Sequence, residues 1–162
     1  MTFAGLASCR GAELERLLRA GKAPDPSALC DTQWRGWNAS PLTEALRIRK
    51  FIKGFFGEPL EGCNIPARQD GWDAPWQAVG ERFGFYTAAP VVAGARAPLY
   101  PDSLLLDYGA SPRNAFYRVE KVLRDYVVAP DPGQPDLLLG KAYLAIGGLR
   151  VPAGYFILNR LR

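Results

Sequence analysis

Aspartates and tyrosines are the side chains of this sequence best suited to chemistry, because the chain of 162 residues contains no histidine. The absence of histidine excludes Ser-His-Asp and Cys-His catalysis, histidine-ligated haem, and zinc or iron sites that need this ligand. Two Asp-Tyr pairs, Asp107-Tyr108 and Asp125-Tyr126, each lie within an apolar stretch. An aspartate that faces a dry cavity has a raised pKa and can act as a general acid or base, whereas one that faces solvent is only a surface charge.

These pairs bear on whether the protein is an enzyme. Neighbouring residues of a β-strand point to opposite faces, so one member of each pair is expected inside and the other outside. Hydrophobicity favours the tyrosines as the inner members, which argues against an enzyme. We therefore predict no catalytic residue, cofactor or metal.

Tyrosines and tryptophans are the candidate ligand-binding residues. Buried tyrosine hydroxyls on an apolar wall can orient a carbonyl or hydroxyl group of a ligand, but ordinary core tyrosines give the same pattern. The candidates are four tyrosines of predicted strands and two tryptophans of a predicted loop: Tyr108, Tyr126, Tyr143, Tyr155, Trp72 and Trp76.

The sequence after Gly80 predicts the strands that position these tyrosines. Turn sequences such as Pro101-Asp102 and Gly147-Gly148 separate the segments. Since no helical pattern lies between them, βαβ units are excluded and an up-and-down barrel or a sandwich is favoured. The predicted strands are 81–90, 103–108, 114–121, 122–130, 135–146 and 153–161.

Two helices and a long loop are predicted before these strands. Residues 10–20 carry leucines at helical spacing. Ser40 and Pro41 begin a second helix near residues 41–53, whose basic later turns complement the helix dipole. Residues 57–80 lack periodicity and predict a lid-like loop. The two tryptophans of this loop allow two interpretations equally. The loop is either an ordered cover over an apolar site, or a segment whose tryptophans are tucked into the core.

The segment Thr32-Gln33-Trp34-Arg35-Gly36 resembles the signature of a family of small bacterial proteins named for a Gly-x-Trp-x-Gly (GXWXG) motif, with Thr32 in place of the first glycine. The likeness continues in RIRKFIKGFF and in four later segments, LLLDYGAS, VLRDYVV, LLLGKAYLAIGG and GYFILNR. The resemblance implies a lipocalin-like (calycin) barrel with a ligand cavity. Such barrels place an arginine of the last strand over a tryptophan of the first, and Arg160 and Trp34 hold these positions, where their role would be structural.

Charge and cysteine content bear on partners and location. Lys and Arg number 20 against 16 Asp and Glu, and residues 1–70 and 71–162 carry the same excess. Since no basic cluster results, a nucleic-acid partner is not expected. The cysteines Cys9, Cys30 and Cys63 form no CxxC pair, which suits reduced thiols in a cytoplasm. We find no signal peptide and no membrane-spanning segment, and predict a cytoplasmic protein, of bacterial origin by the resemblance.

The predicted fold is mainly β, a single domain formed by an antiparallel lipocalin-like barrel with an N-terminal helix and one further helix near residues 41–53. Residues 1–27 would form a helical extension and linker, and residues 28–162 the barrel. The predicted function is binding of one small hydrophobic molecule, such as a lipid, isoprenoid or polyketide-like compound, driven by burial. Two alternatives remain open: a cofactor-free cyclase or isomerase using the same cavity, and a protein-interaction module with a filled barrel. The sequence leaves open the ligand, the role of Cys63 and the oligomeric state, including a homodimer.

Overall fold

The computed structural model describes residues 1–92 and 99–161. Eight antiparallel strands form a closed barrel in which each strand pairs with the next and β8 pairs with β1. This confirms the mainly β antiparallel barrel predicted from the sequence. The strands are β1 (Thr32–Asn38), β2 (Lys50–Phe56), β3 (Glu61–Pro66), β4 (Phe83–Pro90), β5 (Leu104–Asp107), β6 (Leu123–Val128), β7 (Leu137–Ile146) and β8 (Leu149–Arg160).

Short helices accompany the barrel and a 3-10 turn at Val119–Val122 precedes β6. None of the helices in the described part of the chain is long and apolar enough to cross a membrane. The helices are α1 (Phe3–Ser8), α2 (Gly11–Ala20), α3 (Pro26–Leu29) and α4 (Pro41–Ala45).

Apolar side chains form one core inside the barrel and another outside it. The inner core fills one half of the barrel and includes Trp34, Phe55, Tyr86, Leu104, Leu106, Leu138 and Leu158. The outer core joins α1 and α2 to the outer faces of β6, β7 and β8, and includes Phe3, Leu6, Leu14, Leu18, Tyr126, Leu139, Tyr143 and Ile157. Because helices cover these strands, both of their faces avoid water and both are rich in apolar residues.

The filled end of the barrel is closed by Trp34 and Arg160, as the resemblance implied. The two residues are partners across the pairing of β1 with β8. The guanidinium carbon of Arg160 lies 4.7 Å from the centre of the Trp34 ring, within cation–π range. The indole Nε1 donates a hydrogen bond of 2.8 Å to Thr32 Oγ1. Thr32 thus orients the buried tryptophan.

The second helix is shorter than predicted. It begins at Pro41 as expected but ends at Ala45, and Arg47 has a positive φ of 54°. The prediction of helix up to residue 53 was wrong, because residues 50–53 belong to β2. The basic-aromatic stretch forms this strand, which pairs with β1 on one edge and with β3 on the other. Its alternate residues point into the barrel.

The prediction of a lid-like loop over residues 57–80 was also wrong in part, because β3 lies within this range. Its sequence, EGCNIP, lacks the alternation of apolar and polar residues that predicts a strand. One reason is that an inward-facing position is taken by Gly62, which has no side chain. A Cβ at this glycine would lie 2.2 Å from the Tyr86 ring, which covers it from the neighbouring strand. The predicted strand over 114–121 is absent from the described chain, where these residues form turns and the 3-10 segment.

Glycines that face an aromatic ring recur around the barrel wall. In each case the two residues are partners on adjacent strands, and a Cβ on the glycine would lie within 2.4 Å of the ring. Glycine therefore lets the ring lie against the wall instead of projecting into the interior. The pairs are Gly36 with Phe51, Gly62 with Tyr86, and Gly140 with Phe156.

Candidate ligand-binding site

A cavity of about 570 Å³ occupies the half of the barrel away from Trp34 and Arg160. The residues that line it reach one end of the barrel. This end carries the connections from β1 to β2, from β3 to β4, from β5 to β6 and from β7 to β8. The apolar part of its wall includes Phe51, Leu123, Ala142 and Phe156. The volume and the apolar wall are typical of a site for one small molecule.

Four polar side chains meet at the inner end of this cavity, where the filled half of the barrel begins. Lys53 Nζ donates hydrogen bonds to Asn64 Oδ1 at 2.9 Å, to the Tyr108 hydroxyl at 2.6 Å and to Asp125 Oδ2 at 3.0 Å. The Tyr108 hydroxyl donates to the same Asp125 oxygen at 2.8 Å. All four residues line the cavity, and we call them the floor cluster.

Burial in the floor cluster changes the pKa of Lys53 and of Tyr108. Desolvation lowers the pKa of Lys53 below its ordinary value of 10.5, against the opposing attraction of the Asp125 carboxylate. Desolvation, with the nearby charge of Asp125, raises the pKa of Tyr108 well above 10. The tyrosine is therefore a neutral hydroxyl at physiological pH, while the lysine loses its proton more readily than one in water.

The floor cluster still has hydrogen-bonding capacity for a ligand. Asp125 accepts its two side-chain hydrogen bonds through Oδ2, and no described residue donates one to its Oδ1. A bound molecule can therefore donate to this oxygen. It can accept from Lys53 only by replacing one of the three acceptors that the ammonium already has. Within residues 1–92 and 99–161, no group of three His, Cys, Asp or Glu side chains is arranged to hold a metal ion.

The structure places only two of the predicted tyrosines at the cavity. Tyr108 belongs to the floor cluster, and Tyr155 lies at the border of the cavity with its hydroxyl donating to Glu15 Oε2 at 2.7 Å. Tyr126 and Tyr143 point outward and pack against each other, with ring centres 5.8 Å apart, in the outer core. They do not border the cavity and we leave them out of the proposed site.

The two predicted tryptophans also lie outside the barrel. Trp72 stacks on Phe3 of α1 at 5.0 Å, and Trp76 donates from Nε1 to the carbonyl oxygen of Gly36 at 3.0 Å. Both line a separate outer recess of about 380 Å³. The two tryptophans are therefore tucked onto the outer wall, whereas Ala67 and Gln69 of the same connection border the cavity.

A polar cluster explains why tyrosines occupy the outer face of β7 and β8. Glu15 of α2 accepts hydrogen bonds from Lys141, Tyr155 and Tyr100, and Tyr100 bonds Tyr143. Burial raises the pKa of Glu15, but the hydrogen bonds and the charge of Lys141 outweigh this effect and hold it at about 2. The cluster fixes α2 on the barrel wall.

Sequence reasoning about the aspartates was right at one pair and wrong at the other. Tyr108 is inside, and Asp107 is outside in an ion pair with Arg124 at 3.1 Å. At the second pair Asp125 is inside and Tyr126 outside, because Lys53 neutralises the carboxylate and α2 shields the ring from water.

Lys53 and Asn64 were not among the predicted site residues. Lys53 fell within the predicted helix, and Asn64 within the predicted loop. The alternation of Phe51, Lys53 and Phe55 was the signal that could have placed this lysine on the inner face of a strand. Cys63, between two inward residues, points outward and packs with Ile52 and Ile65, and burial raises its thiol pKa.

Comparison of the chain with models of protein families, with curated proteins and with solved structures found no match. No family model therefore supports the resemblance to the GXWXG family. The closed ring of eight antiparallel strands is consistent with the lipocalin-like barrel that the resemblance implied.

Proposed function

We propose that this protein binds one small, mainly apolar molecule in the barrel cavity and holds the polar group of that molecule on the floor cluster. The observation that carries the proposal is an apolar cavity of about 570 Å³ with four convergent polar side chains at its inner end. Cavities of this kind bind ligands by apolar burial and orient them with a few polar groups. Each 100 Å² of apolar ligand surface removed from water contributes roughly 2.5 kcal/mol.

The floor cluster favours a neutral polar group over an ionic one. Lys53 and Asp125 already compensate each other's charge at 3.0 Å, so a carboxylate ligand would meet both an ammonium and a carboxylate. A hydroxyl or carbonyl group needs no counter-charge. A hydroxyl can donate to Asp125 Oδ1, and either group can accept from Lys53 in exchange for one of its present acceptors. The proposed ligand is therefore a lipid, isoprenoid or polyketide-like molecule that carries an alcohol or carbonyl group at one end.

Binding of a neutral fluorescent probe, N-phenyl-1-naphthylamine, tests the cavity with a matched pair of variants on β7. Ala142 lines the cavity, whereas Ala145 follows three residues later, outside the set that lines it. Ala142→Phe should weaken probe binding at least about tenfold by filling the space, while Ala145→Phe should leave it unchanged. Absence of binding by the wild type, or equal binding by both variants, would contradict the proposal.

The natural ligand can be sought by native mass spectrometry of the protein purified from its own host. A retained apolar molecule, present in the Ala145→Phe variant and missing from Ala142→Phe, would identify the occupant. A chain that carries no such molecule and shows no thermal shift with apolar alcohols and ketones would count against a binding role.

A cofactor-free isomerase is the second candidate, favoured by the carboxylate of Asp125 inside the cavity beside the Tyr108 hydroxyl. In this role Asp125 removes a proton next to a ligand carbonyl, and Lys53 donates to the carbonyl oxygen in exchange for one of its present acceptors. The test is deuterium incorporation at the α-carbon of 2-decanone in D₂O, followed by NMR. Catalysed exchange that Asp125→Asn abolishes while probe binding persists would support catalysis. Exchange at the buffer rate would argue for binding alone.

A further inference from the structure

Lys53 differs in its surroundings from the other lysines of the chain. It is 1% exposed and its Nζ lies among the side chains that line the barrel cavity. Lys50 also borders the cavity, but its Nζ is held by Asp70 and by the carbonyl oxygens of Gly71 and Ala74. The remaining lysines bond groups outside the cavity: Lys22 to Asp102, Lys121 to the Gly109 and Ser111 carbonyls, and Lys141 to Glu15.

The groups around Lys53 are those that an amine nucleophile requires. Burial favours the neutral amine, which is the form that attacks a carbonyl carbon. Asp125, at 3.0 Å, can take the ammonium proton, and the Tyr108 hydroxyl bonds both residues. Proton transfers between these groups need no movement of the backbone.

We propose that Lys53 forms an imine with an apolar aldehyde or ketone bound in the barrel cavity. This inference rests on the proposed function, because the same cavity must first bind the molecule. The ammonium of Lys53 passes a proton to Asp125, and the Nζ lone pair then forms a bond to the carbonyl carbon. The carbonyl oxygen receives that proton and becomes the hydroxyl of a carbinolamine.

The second half of the reaction expels this hydroxyl as water. The nitrogen still holds two protons. One of them converts the hydroxyl into the leaving water, and the C–O bond breaks as the freed nitrogen lone pair forms the C=N bond. The other proton stays on nitrogen and gives the protonated imine. Overall, an ammonium and a carbonyl compound give a protonated imine and one water, with no oxidant or reductant. Asp125 then remains as the counter-ion of the positive imine, as it is of the ammonium.

The apolar part of the cavity wall, which includes Phe51, Ala142 and Phe156, favours the imine over its hydrolysis, because these side chains offer a returning water no hydrogen-bond partner. The wall residues Phe51 and Phe156 suit an aliphatic or polyene chain attached to the carbonyl. The substrate class is therefore a long-chain or isoprenoid aldehyde, or a ketone with its carbonyl near one end.

Reductive trapping with decanal and sodium cyanoborohydride tests the inference. With one equivalent of decanal, intact-mass measurement should show the gain of one decyl group, and peptide mapping should place it on Lys53. Labelling of Lys53 should exceed that of exposed Lys22 several-fold, because Lys53 lies at the cavity that binds decanal and Lys22 lies on the surface. Lys53→Arg should abolish the selective adduct, and Lys22→Arg should not.

A second variant and a binding measurement separate the outcomes. Lys53→Met combined with Asp125→Leu removes the amine without leaving a buried charge unpaired. It should fold and give no adduct at residue 53, and any loss of decanal affinity measures the contribution of the floor cluster. Displacement of the probe by decanal and 1-decanol without a Lys53 adduct would overturn the imine and leave the binding function standing. Labelling spread evenly over the lysines would also overturn it, whereas failure of both compounds to displace the probe would refute the binding function itself.

Discussion

Lys53 and Asp125 join opposite walls of the barrel, with Nζ and Oδ2 3.0 Å apart at its centre. Their strands, β2 and β6, are four positions apart in the ring of eight and share no backbone pairing. The ion pair therefore links parts of the sheet that the strand hydrogen bonds connect only around the circumference. Tyr108 and Asn64 complete the hydrogen bonds of the lysine, and Tyr108 also donates to the carboxylate.

Removal of one partner should be far more costly than removal of both. Lys53→Met leaves the Asp125 carboxylate buried without its cation, and we expect the free energy of unfolding to fall by about 3–5 kcal/mol. The double variant Lys53→Met/Asp125→Leu should recover most of this loss, because apolar groups replace the pair. Urea unfolding of the wild type and both variants measures the difference, and a double variant no more stable than the single one would contradict the pairing.

Glu15 should make the stability of the protein depend on acid pH. Its pKa of about 2 in the folded chain lies below the ordinary 4.5, so its stabilisation is present above pH 4.5 and is lost as the pH falls from there towards 2. The side chain is a quarter exposed, and we expect this contribution to be about 1–2 kcal/mol after screening. Glu15→Gln should therefore lower stability at pH 6 and have a much smaller effect at pH 2.

The difference between the wild type and Glu15→Gln isolates this carboxyl from the other acids of the chain. Urea unfolding at several pH values between 2 and 6 gives the curve. If the two curves run parallel over this range, Glu15 does not bind α2 to the barrel in the way its contacts indicate.

Arg160 should support the fold without affecting ligand binding. Arg160→Ala removes the contact with the Trp34 ring and the ion pair with the exposed Asp136, a loss of about 1–2 kcal/mol in unfolding free energy. The closed end lies away from the cavity, so the affinity for N-phenyl-1-naphthylamine should stay within about twofold of the wild type at temperatures where the variant is folded. A large fall in affinity with unchanged stability would reverse the role assigned to this residue.

Gly36 should control the free space of the cavity through Phe51. A Cβ at residue 36 would lie 2.4 Å from the Phe51 ring, which must then turn away from the wall towards the cavity that it lines. Gly36→Ala should therefore weaken binding of the naphthylamine probe several-fold. Gly71→Ala is the matched control, since no atom within 4 Å would meet its Cβ. Equal probe affinities of the two variants would show that the ring does not respond as the packing requires.

The strands after Gly80 were predictable because their alternation and turn residues are local features. Four of the eight strands, β4 to β7, fall within segments identified in this way. The predicted segment 153–161 covers only the later part of β8, which begins at Leu149. β2 and β3 were not predictable, because their character depends on neighbouring strands. Gly62 is compatible with a strand only because Tyr86 covers it, and no residue near it in the sequence carries this information.

The candidate site was predicted less well, because the direction of each side chain depends on what covers the outside of the barrel. Tyr126 and Tyr143 are as apolar as the inner residues, but α2 offers them an equally dry environment outside. Asp125 is polar, yet its partner Lys53 is 72 residues away in the sequence and was placed in a helix. The closing pair Trp34 and Arg160 was found because the resemblance supplied the contact between distant strands.

The filled half of the barrel also determines the direction in which a ligand enters and leaves. Core side chains such as Trp34 and Leu158 block that half, so the cavity is closed at its inner end, where Lys53 and Asp125 lie. A molecule whose oxygen binds at this end has to enter with the oxygen first, which must lose its bound water, and has to leave with its apolar tail first. In the proposed binding mode, the oxygen is therefore the last part of the molecule to leave the protein.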